Sequence, residues 1–126
     1  MNDAVEVELF RVIIHEKSEE QFIHLRERDG DRSFPIVIGF NEVYEIHRKL
    51  RKFHATRPLT HDLLGSVIKA LGHELNQIVI TELRDRTFFA ELVLTDPESG
   101  EETRVDCRPS DAVALAVQTG AKIFVA

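Results

Sequence analysis

The sequence predicts an α+β fold: a mixed or largely antiparallel sheet with about three helices in one compact domain over residues 1–126. Strand patterns arrive in runs rather than in strict alternation with helices. Each run closes on an apolar helical stripe, and no linker or low-complexity segment divides the series.

Val5, Val7 and Leu9 alternate with Glu6 and Glu8, so residues 5–14 read as a half-buried strand. Residues 21–28 read as a second strand. Asp29-Gly30 is a turn, and Ser33–Ile38 a third strand around Phe34, Ile36 and Ile38. Gly39 breaks that pattern. Asn41 is the expected N-cap of a helix with Val43, Ile46, Leu50 and Phe53 on its apolar stripe. After Arg57-Pro58, Thr60 is expected to cap a second helix carrying Leu63, Leu64, Val67, Ile68 and Leu71, closed by Gly72. Residues 75–83 and 87–95 read as strands joined at Arg84-Asp85-Arg86. Asp96-Pro97-Glu98-Ser99-Gly100 is a turn, and residues 101–107 a further strand. Ser110 is expected to cap a small-residue helix over 111–119, stopped by Gly120, and residues 122–125 form a short last strand. The order is thus βββα, an extra helix, then βββα and β. It carries an internal echo, since residues 36–43 and 105–112 both run strand, turn, cap, acid, helix. A duplicated βββα unit is the expectation.

With 43% apolar and 30% charged residues, a chain of 126 residues can bury a core without staples. One cysteine, Cys107, excludes an internal disulfide framework and a Cys-based zinc site, and fits a reducing compartment. The start has no basic n-region or long apolar run, so a cytoplasmic protein without a signal peptide is expected. A formal charge of −6 argues against coating nucleic acid by bulk electrostatics. Between Ile46 and Thr60, however, there is no acid, while Arg48, Lys49, Arg51, Lys52 and Arg57 accumulate. Arg48, Lys49 and Lys52 read as a solvated helix face. Arg57 stands apart.

Two corners share a plan. Arg57-Pro58-Leu59-Thr60-His61-Asp62 and Arg108-Pro109-Ser110-Asp111 each set an arginine before a proline, a hydroxyl at the helix start and an acid in the first turn. Free amides plus an arginine fork make an anion corner suited to phosphate. Asp62, Asp111 and Asp106 are candidate oxygen ligands for a divalent cation, and His61 is a candidate for proton transfer. The same residues fit a purely structural role, with Arg57 paired to Asp111 or Arg108 to Asp62. His15, His24, His47, His54 and His73 show no ligand spacing, and Cys107 reads as a strand-end core residue.

Those two blocks, with Leu71-Gly72, Thr87-Phe88-Phe89-Ala90, the upstream run Phe34-Pro35-Ile36-Val37-Ile38-Gly39 and Glu42, resemble the bifunctional nuclease family over nearly the whole chain. The sequence departs from that pattern at Cys107, where alanine is usual, and at Lys122, where proline is usual. The resemblance implies hydrolysis of RNA and DNA (an RNase and DNase in one hydrolase domain), a compact α+β fold and a homo-oligomer, a dimer. It carries over a polar cluster. Arg57 and Arg108, with Thr60 and Ser110, would bind substrate. His61, Asp62, Asp106 and Asp111 would be catalytic, with Asp62, Asp106, Asp111 and Glu42 as candidate ligands of a cation such as Mg2+. Activity on both sugars points to an activated water rather than 2′-hydroxyl attack. Phe88 and Phe89 should face opposite ways, leaving one for base stacking. A non-catalytic anion- or nucleotide-binding or protein-interaction module is the alternative.

Overall fold

A computed structural model describes residues 4–126. The chain runs β1 (Val5–Ile13), β2 (Gln21–Glu27), β3 (Ser33–Ile38), α1 (Phe40–Leu50), α2 (Thr60–Ala70), β4 (Glu74–Arg84), β5 (Thr87–Thr95), β6 (Glu102–Cys107), α3 (Pro109–Thr119) and β7 (Lys122–Val125). The strands make one seven-stranded sheet ordered β3-β2-β1-β7-β4-β5-β6. β1 to β3 form one antiparallel meander and β4 to β6 another. β7 joins them, antiparallel to β1 and parallel to β4. The α+β expectation holds.

Each meander starts beside β7 and steps outward, and each is followed by a helix, α1 or α3. The two halves therefore share one strand order, as a duplicated βββα unit requires, and α2 is inserted between them. The sheet also curls. Phe34 on β3 lies 6.0 Å from Phe88 on β5, ring centre to ring centre, although four strands separate β3 from β5 in the sheet. Pro35 is tolerated because β3 is an edge strand, where a missing N–H breaks no ladder.

The core lies under α3. Ala112, Val113, Ala114, Leu115 and Ala116 are all buried, against α1 with Val43 and Ile46 and against the sheet with Ile78, Ile80, Ala90 and Leu92. The alanines let α3 lie close to its neighbours, so the helix starts of α1 and α3 are fixed by the best-packed part of the molecule.

Several local expectations are corrected. α1 begins at Phe40 behind Gly39, α2 at Thr60 behind Leu59, and α3 at Pro109 behind Arg108. Asn41, Thr60 and Ser110 are therefore inside their helices rather than capping them. Proline at the first helical position, with its preset φ, starts α3 two residues early, at Pro109 rather than Asp111. For α2, the Asp62 carboxylate accepts the Leu59 amide at 3.0 Å and takes over the capping role. Of the expected stripes, Val43, Ile46 and Ile68 are buried, whereas Leu50, Phe53, Leu63, Leu64, Val67 and Leu71 are exposed. Phe88 and Phe89 do part company: Phe88 meets Phe34, and Phe89 lies under Arg84 at 4.4 Å.

Candidate functional site

Three helix starts meet, and each carries an acid as its third residue: Glu42 on α1, Asp62 on α2 and Asp111 on α3. The helix dipole favours a carboxylate there. Their partners differ. Asp111 accepts Arg108 Nε at 2.9 Å and Nη2 at 3.2 Å, and its Oδ1 lies 2.8 Å from His61 Nε2. Glu42 accepts a long bond from Arg108 Nη1 at 3.4 Å. Arg108 thus ties together the acids of the two equivalent helices, and the inserted helix supplies the histidine.

His61 is positioned from several sides. Its Nδ1 lies 3.6 Å from Glu45 Oε2. The Gln118 amide donates to its backbone carbonyl at 3.3 Å. Gly65 makes room for that glutamine, since a side-chain carbon there would meet Gln118 Nε2, which accounts for a helix-weakening residue in mid-α2. Glu42, Glu45, Thr60, His61 and Arg108, with Asn41, Pro58, Leu59 and Leu63, line one open hollow of about 550 Å3.

Behind the hollow lies a network that the sequence did not reveal. Glu45 accepts Arg48 Nη2 at 2.8 Å and Nε at 3.1 Å. Lys49 hydrogen-bonds Asp62, and Arg48 lies 3.5 Å from it. The reading of Arg48 and Lys49 as solvated is overturned: their side chains are 13% and 7% exposed. Only Lys52 of that trio is exposed. The i, i+3 and i, i+4 spacings from Glu45 to Arg48 and Lys49 were visible in the sequence and are the one signal that could have found the pairs.

The remaining candidates are dispersed. Thr60 lines the hollow, but Asp62 turns toward α1. Arg57 and Asp106 are exposed and make no ion pair among the described residues. Ser110 is buried and lines a second hollow. The cross-pairs Arg57 to Asp111 and Arg108 to Asp62 are not formed. Arg108 instead takes the acid three residues on in its own helix, which is nearer.

As donors for a divalent cation these carboxylates fit poorly. Asp62 is held by Lys49 and the Leu59 amide, Asp111 by Arg108 and His61, and Asp106 stands apart on β6. Among the described residues no three His, Cys, Asp or Glu side chains gather as a metal shell. Cys107 offers no nucleophile either. Burial, with the charges of Asp111, Asp106 and Glu91, pushes its thiol up to about 12, so it stays protonated at neutral pH.

The electrostatics are otherwise those of ion pairs. Burial works to raise the Asp111 carboxyl, but hydrogen bonds from Arg108 and His61 outweigh it and leave it below its ordinary value. The Lys49 hydrogen bond, then the Leu59 amide, hold Asp62 at about 2. Because the folded pKa is depressed, the stabilisation is complete above the unfolded value near 4 and is lost as pH falls toward 2. Acid titration of stability should therefore show the wild type losing about 1 kcal/mol more than Asp62→Asn between pH 5 and 2, after allowance for solvent screening. Parallel curves for the two proteins would remove this role.

Residues 23–126 match the family model of the bifunctional nuclease domain. An uncharacterized protein of Mycobacterium tuberculosis (strain H37Rv) is 37% identical over 120 residues, which cover 95% of this chain and 70% of that protein. Bifunctional nuclease 2 of Oryza sativa subsp. japonica is 29% identical over 114 residues, 89% of this chain and 35% of its own length. A bifunctional nuclease of Oryza minuta is 27% identical over 105 residues, 82% and 32% respectively. The chain thus spans about a third of the length of these rice and wild-rice relatives.

Proposed function

The chain belongs to the bifunctional nuclease domain family, and from that membership we propose that residues 1–126 form a nuclease hydrolysing RNA and DNA with little sequence preference. The observation that carries this is the His61–Asp111 contact of 2.8 Å on the wall of an open hollow beside Arg108. Asp111 fixes the imidazole through Nε2, as an orienting carboxylate does for a general base. Nδ1, with only a loose contact to Glu45, is then the nitrogen that takes a proton from water. The water oxygen bonds to phosphorus, the ester oxygen leaves, and the imidazolium returns the proton to it. Arg108 Nη1 exchanges its long bond to Glu42 for a non-bridging phosphate oxygen. No step is routed through a metal, since the carboxylates are engaged by cations. No helix among the described residues is long and apolar enough to cross a membrane, and one half-buried free thiol fits a reducing cytoplasm. The test is release of fragments from single-stranded RNA and DNA by purified protein, against Arg108→Ala and His61→Ala prepared identically. Equal traces from all three would end the proposal.

One observation favours the non-catalytic alternative. Four carboxylates (Glu42, Glu45, Asp62, Asp111) face three permanent cations (Arg48, Lys49, Arg108), so the cluster does not attract polyanions by net charge. Thermal stabilisation by small phosphates without polynucleotide turnover would favour a binding module.

Self-association is part of the same reading, with a second copy of this chain on α2. Leu59, Leu63, Val67 and Leu71 recur every four residues along α2 and its flanks, all exposed, with Leu64 beside them. Phe40, Tyr44 and Phe53 share a neighbouring hollow with Leu59. Large exposed apolar side chains gathered along one helix in this way mark an interaction surface. Light scattering should report a dimer for the wild type and a monomer for Leu63→Glu/Val67→Glu. A monomeric wild type at micromolar concentration would remove the interface.

A further inference from the structure

Arg108 and Glu42 form the wall between two hollows. The second, of about 390 Å3, lies between the end of β3, the β4–β5 turn and the start of α3, and Gly39, Arg86, Phe88 and Ser110 line it too. We propose that this second hollow is a phosphate site for the nucleic-acid strand whose scissile bond lies in the His61 hollow, with Arg86 and Ser110 as its protein ligands. This rests on the nuclease reading above.

Ser110 carries the inference. The residue is 6% exposed and lines the hollow; no protein group among the described residues hydrogen-bonds its hydroxyl, which is open to the hollow rather than sealed in the core. A phosphate oxygen would supply the acceptor. Around it, α3 offers the matching donors: its first intrahelical bond is from the Ala112 amide to the Arg108 carbonyl, which leaves the Ser110 and Asp111 amides without an intrahelical partner. The cation is Arg86. Unlike Arg108, it makes no ion pair or hydrogen bond among the described residues, so its guanidinium is available to a ligand.

The need for it follows from charge. Acids outnumber permanent cations around the His61 hollow, so a strand held there requires grip from outside that cluster. Arg86 provides it across the Arg108 wall. Its backbone is consistent with selection for the side chain, because Asp85 and Arg86 have φ of 52° and 63°. A two-residue hairpin turn of that kind favours glycine, especially at the second position.

Two readouts test the proposal: melting temperature with and without inorganic phosphate up to tens of millimolar, and fluorescence anisotropy of a short single-stranded DNA. Phosphate is expected to raise the wild-type melting temperature by a few degrees. Arg86→Gly and Ser110→Ala should lose that shift and bind the DNA about 10-fold more weakly or worse. Without phosphate, Arg86→Gly should melt above the wild type, because glycine relieves the left-handed backbone. Ser110→Ala should melt no lower, because it deletes only an unpartnered hydroxyl. His61→Ala should keep the phosphate response. That response and DNA binding, persisting where no protein cleaves, would separate failure of the nuclease reading from failure of this site. Equal phosphate stabilisation of wild type and both variants, or none in the wild type, overturns the site. A phosphate response dependent on Arg86 with no DNA binding overturns its assignment to a strand.

Discussion

His61→Ala is expected to slow hydrolysis of single-stranded RNA and DNA by about 10²–10⁴-fold, the range that a positioned general base contributes. Substrate binding should change little, because the phosphate contact belongs to Arg108. Asp111→Ala should cost as much through another route. It frees the imidazole to rotate and releases Arg108 from both of its short bonds, so binding should weaken as well. The contrast identifies the roles: a fall in kcat alone for His61, a fall in kcat with a rise in KM for Asp111. Circular dichroism and melting curves should confirm that each variant stays folded. If His61→Ala cleaves at more than about a tenth of the wild-type rate, the histidine is not the base.

Glu45→Ala is expected to destabilise the fold by about 2–4 kcal/mol, because it leaves Arg48 and Lys49 with only Asp62 as a counter-charge in a nearly closed site. For a domain of this length that lowers the melting temperature by roughly 10 °C. Glu45→Gln keeps the shape and one acceptor and should lose about half as much. High salt should not equalise the proteins, because buried pairs are little screened. A loss below about 0.5 kcal/mol would place Glu45 with ordinary surface acids. Since Glu45 also faces His61 Nδ1, Glu45→Gln separates stability from catalysis: a modest loss of melting temperature with altered activity indicates that the carboxylate tunes the histidine.

Much of this was legible in the chain order. Period-two alternation from Val5 to Leu9, Asp29-Gly30, and the glycine closures at Gly72 and Gly120 are local signals, each with a cause acting within a few residues. They located the strands and helices and even the repeated connectivity. Arg108 and Asp111 could also be paired from their spacing alone. Local signals also misled. Leu63, Val67 and Leu71 have the pattern of a core stripe, yet α2 buries only Ile68, because periodicity reports that a face is apolar and not which surface covers it.

The tertiary structure decided the rest. The parallel β7–β4 pair joins residues over 40 positions apart, and no local preference encodes such a contact. His61 meets Asp111 across 50 residues only because a buried alanine-rich α3 packs close beside α1 and an inserted α2 leans on both β4 and α3. The same packing turns Arg48 and Lys49 inward. A charged residue's neighbours within one helix turn can be read from its spacing. Its burial depends on which other element closes over it, and that is fixed by the packing of the whole chain.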